Sequence, residues 1–211
     1  MPIKKSFEAY LFSNTVIFLF SAVNLVFFLL IGEGQLEFKS FIPISTCEDN
    51  TCGTIGLLIL AIAGISFSFI NPKREWATYL HEMAHYLMAK ILRVPATFVP
   101  GNAYVNVAPT TSLQWSLISL SPLFLVVLGT TVANLAVVYD IQFIVKILVI
   151  FVGIFIWESG NPSATALSGF HDWENATING SKVANYMFLI FSLLAPLVLS
   201  ILLMNIMKIF K

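Results

Sequence analysis

His81 and His85 stand four residues apart, with Glu82 directly after the first, in the run His81-Glu82-Met83-Ala84-His85. On a helix, residues four apart lie one turn apart on the same face. The two imidazoles can therefore hold one ion from one side. Glu82, beside His81, can lean toward a water held there. Two imidazoles and a carboxylate base at this spacing make the HExxH pattern of zinc hydrolases. The chain has three His and eight Glu in 211 residues. Independent placement would give this pattern by accident about two times in a thousand. The alternative is a buried helix with two hydrogen-bonded histidines. Cost weighs against it. Two imidazoles and a carboxylate are unfavourable in apolar surroundings unless something pairs them, and a metal ion does so.

The element that must position these residues is one helix. Residues 75–89 contain no Pro or Gly and are mostly good or neutral helix formers. Asn71 is placed to cap it and Pro72 suits a first helical position. Pro95 stops it soon after Arg93. From Pro72 to Arg93 the helix would measure about 33 Å, with His81 about 14 Å along it. That places the expected metal at membrane depth.

The medium follows from composition. The chain is 58% hydrophobic and 10% charged, against about 25% charged in a soluble domain. This is the composition of an integral, multi-pass membrane protein, with the cell membrane as its expected place. A formal net charge of zero gives no reason to expect nucleic acid. The length suits a single membrane-embedded domain, residues 1–211.

The expected fold class is all-α: a bundle of five to six transmembrane helices, with a short β-hairpin or re-entrant segment after the HExxH helix. Helices are expected at 9–31, 54–70, 113–138, 143–157 and 183–209, besides the motif helix. The first, preceded by Lys4 and Lys5, is too long for a signal-peptide core and reads as a retained span. Residues 97–107 read as two short strands around Pro100-Gly101-Asn102. Such a hairpin cannot face lipid with an open edge, so it must pack on protein, line a cavity or lie at the interface. Cys47 and Cys52 lie in a polar loop and are expected to form a disulfide if that loop faces an oxidising side.

A catalytic zinc usually has three protein ligands and one open position. The third ligand should be a His, Asp or Glu away from the motif helix. The remaining His of the chain is His171, directly followed by Asp172. Either can serve, in what otherwise reads as a polar loop between two helices.

HExxH in a hydrophobic helix, followed at a distance by Asn161-Pro162 and Asp172, resembles the site-2 protease class of intramembrane zinc metalloproteases. In that family the third ligand is the Asp of an Asn-Pro-x-Asp-Gly motif. Here no Asp follows Asn161-Pro162 two residues later and no Asp-Gly occurs. Asp172, ten residues on, takes that place in the order of motifs, as in divergent relatives. The resemblance spans about residues 77–175. It implies Zn²⁺ as cofactor, His81, His85 and Asp172 as ligands, and Glu82 as general base. His171 is the second choice as third ligand.

Topology offers a check. Lys4 and Lys5 place the N-terminus in the cytoplasm, and Lys73 and Arg74 return the chain there. If the motif helix spans fully, the Asp172 segment begins outside. If motif helix and hairpin turn back, it lies inside with Lys182. The second arrangement brings the metal ligands together directly.

Two functions follow. The first is intramembrane proteolysis: hydrolysis of peptide bonds in membrane-protein substrates by Zn-activated water, with Glu82 as base. A strand edge near Thr97–Val107 would hold the unwound substrate. The second is a non-proteolytic or degenerate zinc-binding membrane protein of the same fold. An intact Glu82 favours the enzyme, because pure binding does not need it. A transporter has little support: there is no inverted repeat, and Lys146 is the one further intramembrane charge.

Overall fold

The computed structural model describes residues 15–28, 30, 75–99, 104–139, 141–160 and 172–209. Their elements are α1 (Thr15–Phe28), α2 (Glu75–Ile91), β1 (Ala96–Val99), β2 (Tyr104–Val107), α3 (Ser112–Ser119), α4 (Leu123–Val138), α5 (Phe143–Ser159), α6 (Asp172–Ile178) and α7 (Lys182–Ile209). The expected helix at 54–70, Cys47, Cys52 and His171 lie outside the described residues.

Among the described residues the chain is mostly helical with one two-stranded sheet, as expected. Two spans among the described residues are long and apolar enough to cross a membrane. One is Ser112–Val138, where α3 continues into α4 through the turn at Leu120–Pro122. The other is Lys182–Ile206 in α7. α5, with 17 residues, falls short of the usual length of about 20. One helix was not expected. Asp172–Ile178 folds as α6, where the sequence reads as a polar loop. Asp172 and Glu174 favour its start, because acidic side chains complement the positive end of a helix dipole.

α2 ends in a cap that its residue types hide. Val94 N–H donates to the Ala89 carbonyl at 2.8 Å and Arg93 N–H to the Lys90 carbonyl at 3.1 Å. This pair of bonds is the Schellman motif, which needs a left-handed residue. Arg93 fills that position with φ 55°. Ala89 and Val94 pack together, which closes the cap with an apolar contact. The turn aims the chain back along α2 as β1.

β1 and β2 pair antiparallel, Phe98 opposite Val105 and Thr97 opposite Asn106. Ala96, Phe98, Val105 and Val107 lie on one face, half-buried, and Thr97 and Asn106 are exposed on the other. The half-buried face lies against α2: Ala96 and Val107 meet Ala89 and Val94, and Phe98 meets Tyr79 and Tyr86.

The bundle is built on α4 and α5, which touch backbone to backbone. A Cβ placed on Gly129 would come within 2.4 Å of the Gly153 carbonyl oxygen and of the Trp157 nitrogen. Small residues at such a crossing let helices approach where apolar burial gives little drive. Polar links join the other helices. Ser21 bonds Thr130 at 3.3 Å and accepts from Trp157 Nε1 at 3.0 Å, and Asn134 donates to Ser200 at 3.1 Å.

These contacts fix directions. Ile17 clusters with Leu123 and Leu189, and Phe28 with Val138 and Met204. α1, α4 and α7 therefore run parallel. Gly129 faces Gly153, while Val126 lies against Gly160, so α5 runs the other way. The end of α5 and the starts of α1, α4 and α7 all lie at one end of the bundle. At the other end, Lys146 Nζ reaches the Val137 carbonyl at 3.4 Å. The cation that the sequence leaves without a partner thus sits at the negative end of α4.

Candidate metal centre

Two elements deliver three side chains to one point. His81 and His85 project from one face of α2, and Asp172 opens α6. His81 Nε2 lies 2.9 Å from Asp172 Oδ2, and His85 Nε2 lies 3.2 Å from Asp172 Oδ1. The two Nε2 atoms are 3.2 Å apart. All three residues are buried.

The remaining ring nitrogens fix the tautomers. His81 Nδ1 lies 3.0 Å from the Ser159 carbonyl, and His85 Nδ1 lies 2.7 Å from the Ile118 carbonyl. A carbonyl oxygen only accepts, so both Nδ1 atoms carry the hydrogen. Each neutral imidazole then presents the lone pair of Nε2 toward the other and toward a carboxylate. With both rings neutral, three acceptors within 2.9–3.2 Å repel one another unless a proton or a metal ion lies among them. The spacing suits a single ion. Donor atoms about 2.0 Å from a zinc in tetrahedral array stand roughly 3.3 Å apart.

Charge agrees with this. Two neutral imidazoles, the Asp172 and Glu82 carboxylates and one divalent ion sum to zero, the least costly state for a buried cluster. The group could hold a metal ion. The donor set of two nitrogens and one carboxylate suits Zn²⁺ and also Fe²⁺.

The two accepting carbonyls stand at helix ends. Ser159 is the last residue of α5, and Ile118 is in the last turn of α3. Carbonyls at helix ends lack the regular donor four residues on, which for Ile118 would be Pro122, and carry the negative end of the helix dipole. Here they orient the imidazoles and raise their basicity, as second partners of metal-bound histidines do. Ser121 Oγ also donates to the Ile118 carbonyl, at 2.7 Å, and lies 3.4 Å from His85 Nδ1. Ser181 N–H reaches Ser116 Oγ at 2.8 Å and ties the α6–α7 junction to α3.

Glu82 lies beside the cluster, half-buried, with the backbone N–H of Val105 directed toward its carboxyl group. Strand parity explains this direction. Ala108 N–H pairs with the Pro95 carbonyl, so the main-chain groups of Val105 and Val107 point out of the free edge of β2. That edge runs alongside the base.

The structure thus brings together His81, His85 and Asp172 and sets Glu82 next to them. The centre lies at the Ser159 end of α5, near one end of the bundle and not midway along it. Sequence reasoning missed Ser159, Ile118, Ser121 and the Val105 amide. Three of these act through main-chain groups, which no residue type signals. The available clues were Pro122 and Gly160, which mark helix ends and therefore unpaired carbonyls.

Compared with protein-family models, with curated proteins and with solved structures, the chain matches none.

Proposed function

We propose that this protein is an intramembrane zinc endopeptidase of the site-2 protease type, acting on peptide bonds of membrane-protein substrates. The observation that carries the reading is the convergence of two tautomerically fixed imidazoles and Asp172, with Glu82 adjacent. The HExxH spacing and the carboxylate beside it favour zinc over iron. A zinc ion held there would polarise a substrate carbonyl and lower the pKa of water toward 7. Glu82 takes a proton from the attacking water and returns it to the leaving amine. The Val105 N–H, directed toward Glu82, favours a carboxylate there for this exchange. The free edge of β2 receives an unwound, extended segment of substrate alongside the base.

The setting is a bilayer, with the five to six spans expected from the sequence. α7 supports this with an exposed apolar stripe: Val183, Met187, Ile190, Leu194, Val198, Leu202 and Ile206. Parallel α1 and α4 support the arrangement in which motif helix and hairpin turn back. The centre then opens on the side of Lys4, Lys5 and Lys182, the cytoplasmic side by the positive-inside rule. A non-proteolytic zinc protein of the same fold has no need of a carboxylate beside the ligands with an amide donor directed toward it.

The test is cleavage of peptides that contain a membrane span, by purified metal-loaded protein in detergent. Glu82→Gln should keep its metal and lose at least about 100-fold in rate. Equal cleavage by Glu82→Gln and wild type would exclude Glu82 as the base.

A further inference from the structure

Next to the base lies a group of rings that the chemistry above does not use. Tyr79 and Tyr86 stand three residues before and four after Glu82, so they line α2 on the Glu82 side of the histidine face. Phe98 of β1 closes the group, its ring 5.0 Å from Tyr79 at 89° and 6.1 Å from Tyr86. Phe98 is directly opposite Val105, whose N–H is directed toward Glu82. Base and rings therefore lie at the same level of the hairpin.

The ring group differs from a simple clamp. The hairpin is anchored at its other end, where Ala96 and Val107 pack against Ala89 and Val94. Tyr86 is covered by Lys90, whose Nζ lies 5.2 Å from its ring centre. Tyr79 is 39% exposed, so part of its ring is open about one helical turn from Glu82. An open ring one turn from the base favours a bulky apolar group on the substrate over a small one.

We propose that Tyr79, Phe98 and Tyr86 form a side-chain subsite that selects substrates with a large apolar residue next to the scissile bond. The assignment rests on the proteolytic reading and adds the substrate class to it. An extended segment along β2 places alternate side chains toward the hairpin's apolar face, and one of them meets the rings. Pocket contacts of this kind discriminate by about 10-fold or more per added apolar group.

The experiment uses the full chain, zinc-loaded in detergent, with a synthetic peptide mixture whose cleavage sites are read by mass spectrometry. Wild type should cut at least 10-fold faster where one flanking position holds Leu, Met or Phe than where it holds Gly or Ala. In Phe98→Ala, and separately in Tyr79→Ala, that preference should fall below 3-fold at the same position, while zinc content and cleavage of the small-residue peptides persist. Tyr79→Ala replaces a partly exposed ring, so it keeps the test decisive if Phe98→Ala does not fold. Cleavage by wild type with no preference overturns the subsite alone. A preference that survives both substitutions while overall rate falls also overturns it, and makes the rings a structural clamp. If wild type cuts nothing, the proteolytic reading falls and the subsite falls with it.

Discussion

His81 and Asp172, separated by 90 residues of chain, meet at 2.9 Å through Nε2 and Oδ2 while the other nitrogen of His81 is held by the Ser159 carbonyl. The contact fixes more than one distance. It ties the first turn of α6 to the last turn of α5 through a side chain of α2.

Asp172→Ala should lower zinc affinity by more than 100-fold. Loss of a partner one step removed from the metal costs about 10–100-fold, and Asp172 is a direct ligand in this account. Its carboxylate also offsets charge in a low-dielectric site, which an imidazole cannot do. The check is zinc retention under graded chelator, with His171→Ala measured beside it. Earlier loss from His171→Ala would move the third ligand to His171.

Arg93→Gly should stabilise the protein by about 1 kcal/mol, because Arg93 holds a left-handed φ of 55° that glycine adopts without steric cost. The Schellman bonds from Val94 and Arg93 are main-chain bonds and survive the change. Reversible unfolding in lipid bicelles gives the number. A loss of stability would mean that the Arg93 side chain holds something the cap does not need.

A bilayer setting would make an unusual demand on α7. Leu194 is 50% exposed. On a water-soluble protein, replacing such a residue by Lys changes stability by less than about 0.5 kcal/mol. Facing lipid at mid-helix, Leu194→Lys should cost about 2.5–3.5 kcal/mol. The same bicelle measurement decides between the two media.

The sequence carried the motif helix, the hairpin, the long helices after it and the pairing of His81 with His85. Those features depend on local periodicity, on Pro and Gly, and on the four-residue spacing. Asp172 came from the order of motifs, and its convergence with the histidines needed three dimensions. α6 was illegible because seven residues beginning Asp-Trp-Glu-Asn carry too little periodicity to separate a short helix from a loop. The α2 cap was illegible for a different reason. Arg93 occupies a position where a glycine would have announced the turn. The Ser159 and Ile118 carbonyls are main-chain groups, and any residue type there would supply them.

The account rests on the metal. Elemental analysis of purified wild type and of the His81→Ala, His85→Ala double variant, with zinc and iron read together, tests it most directly. About one zinc per chain in wild type, and none in a double variant that is still folded, is the expected result. Equal metal content in the two proteins, or a wild type that takes up no metal when zinc is supplied, would contradict it.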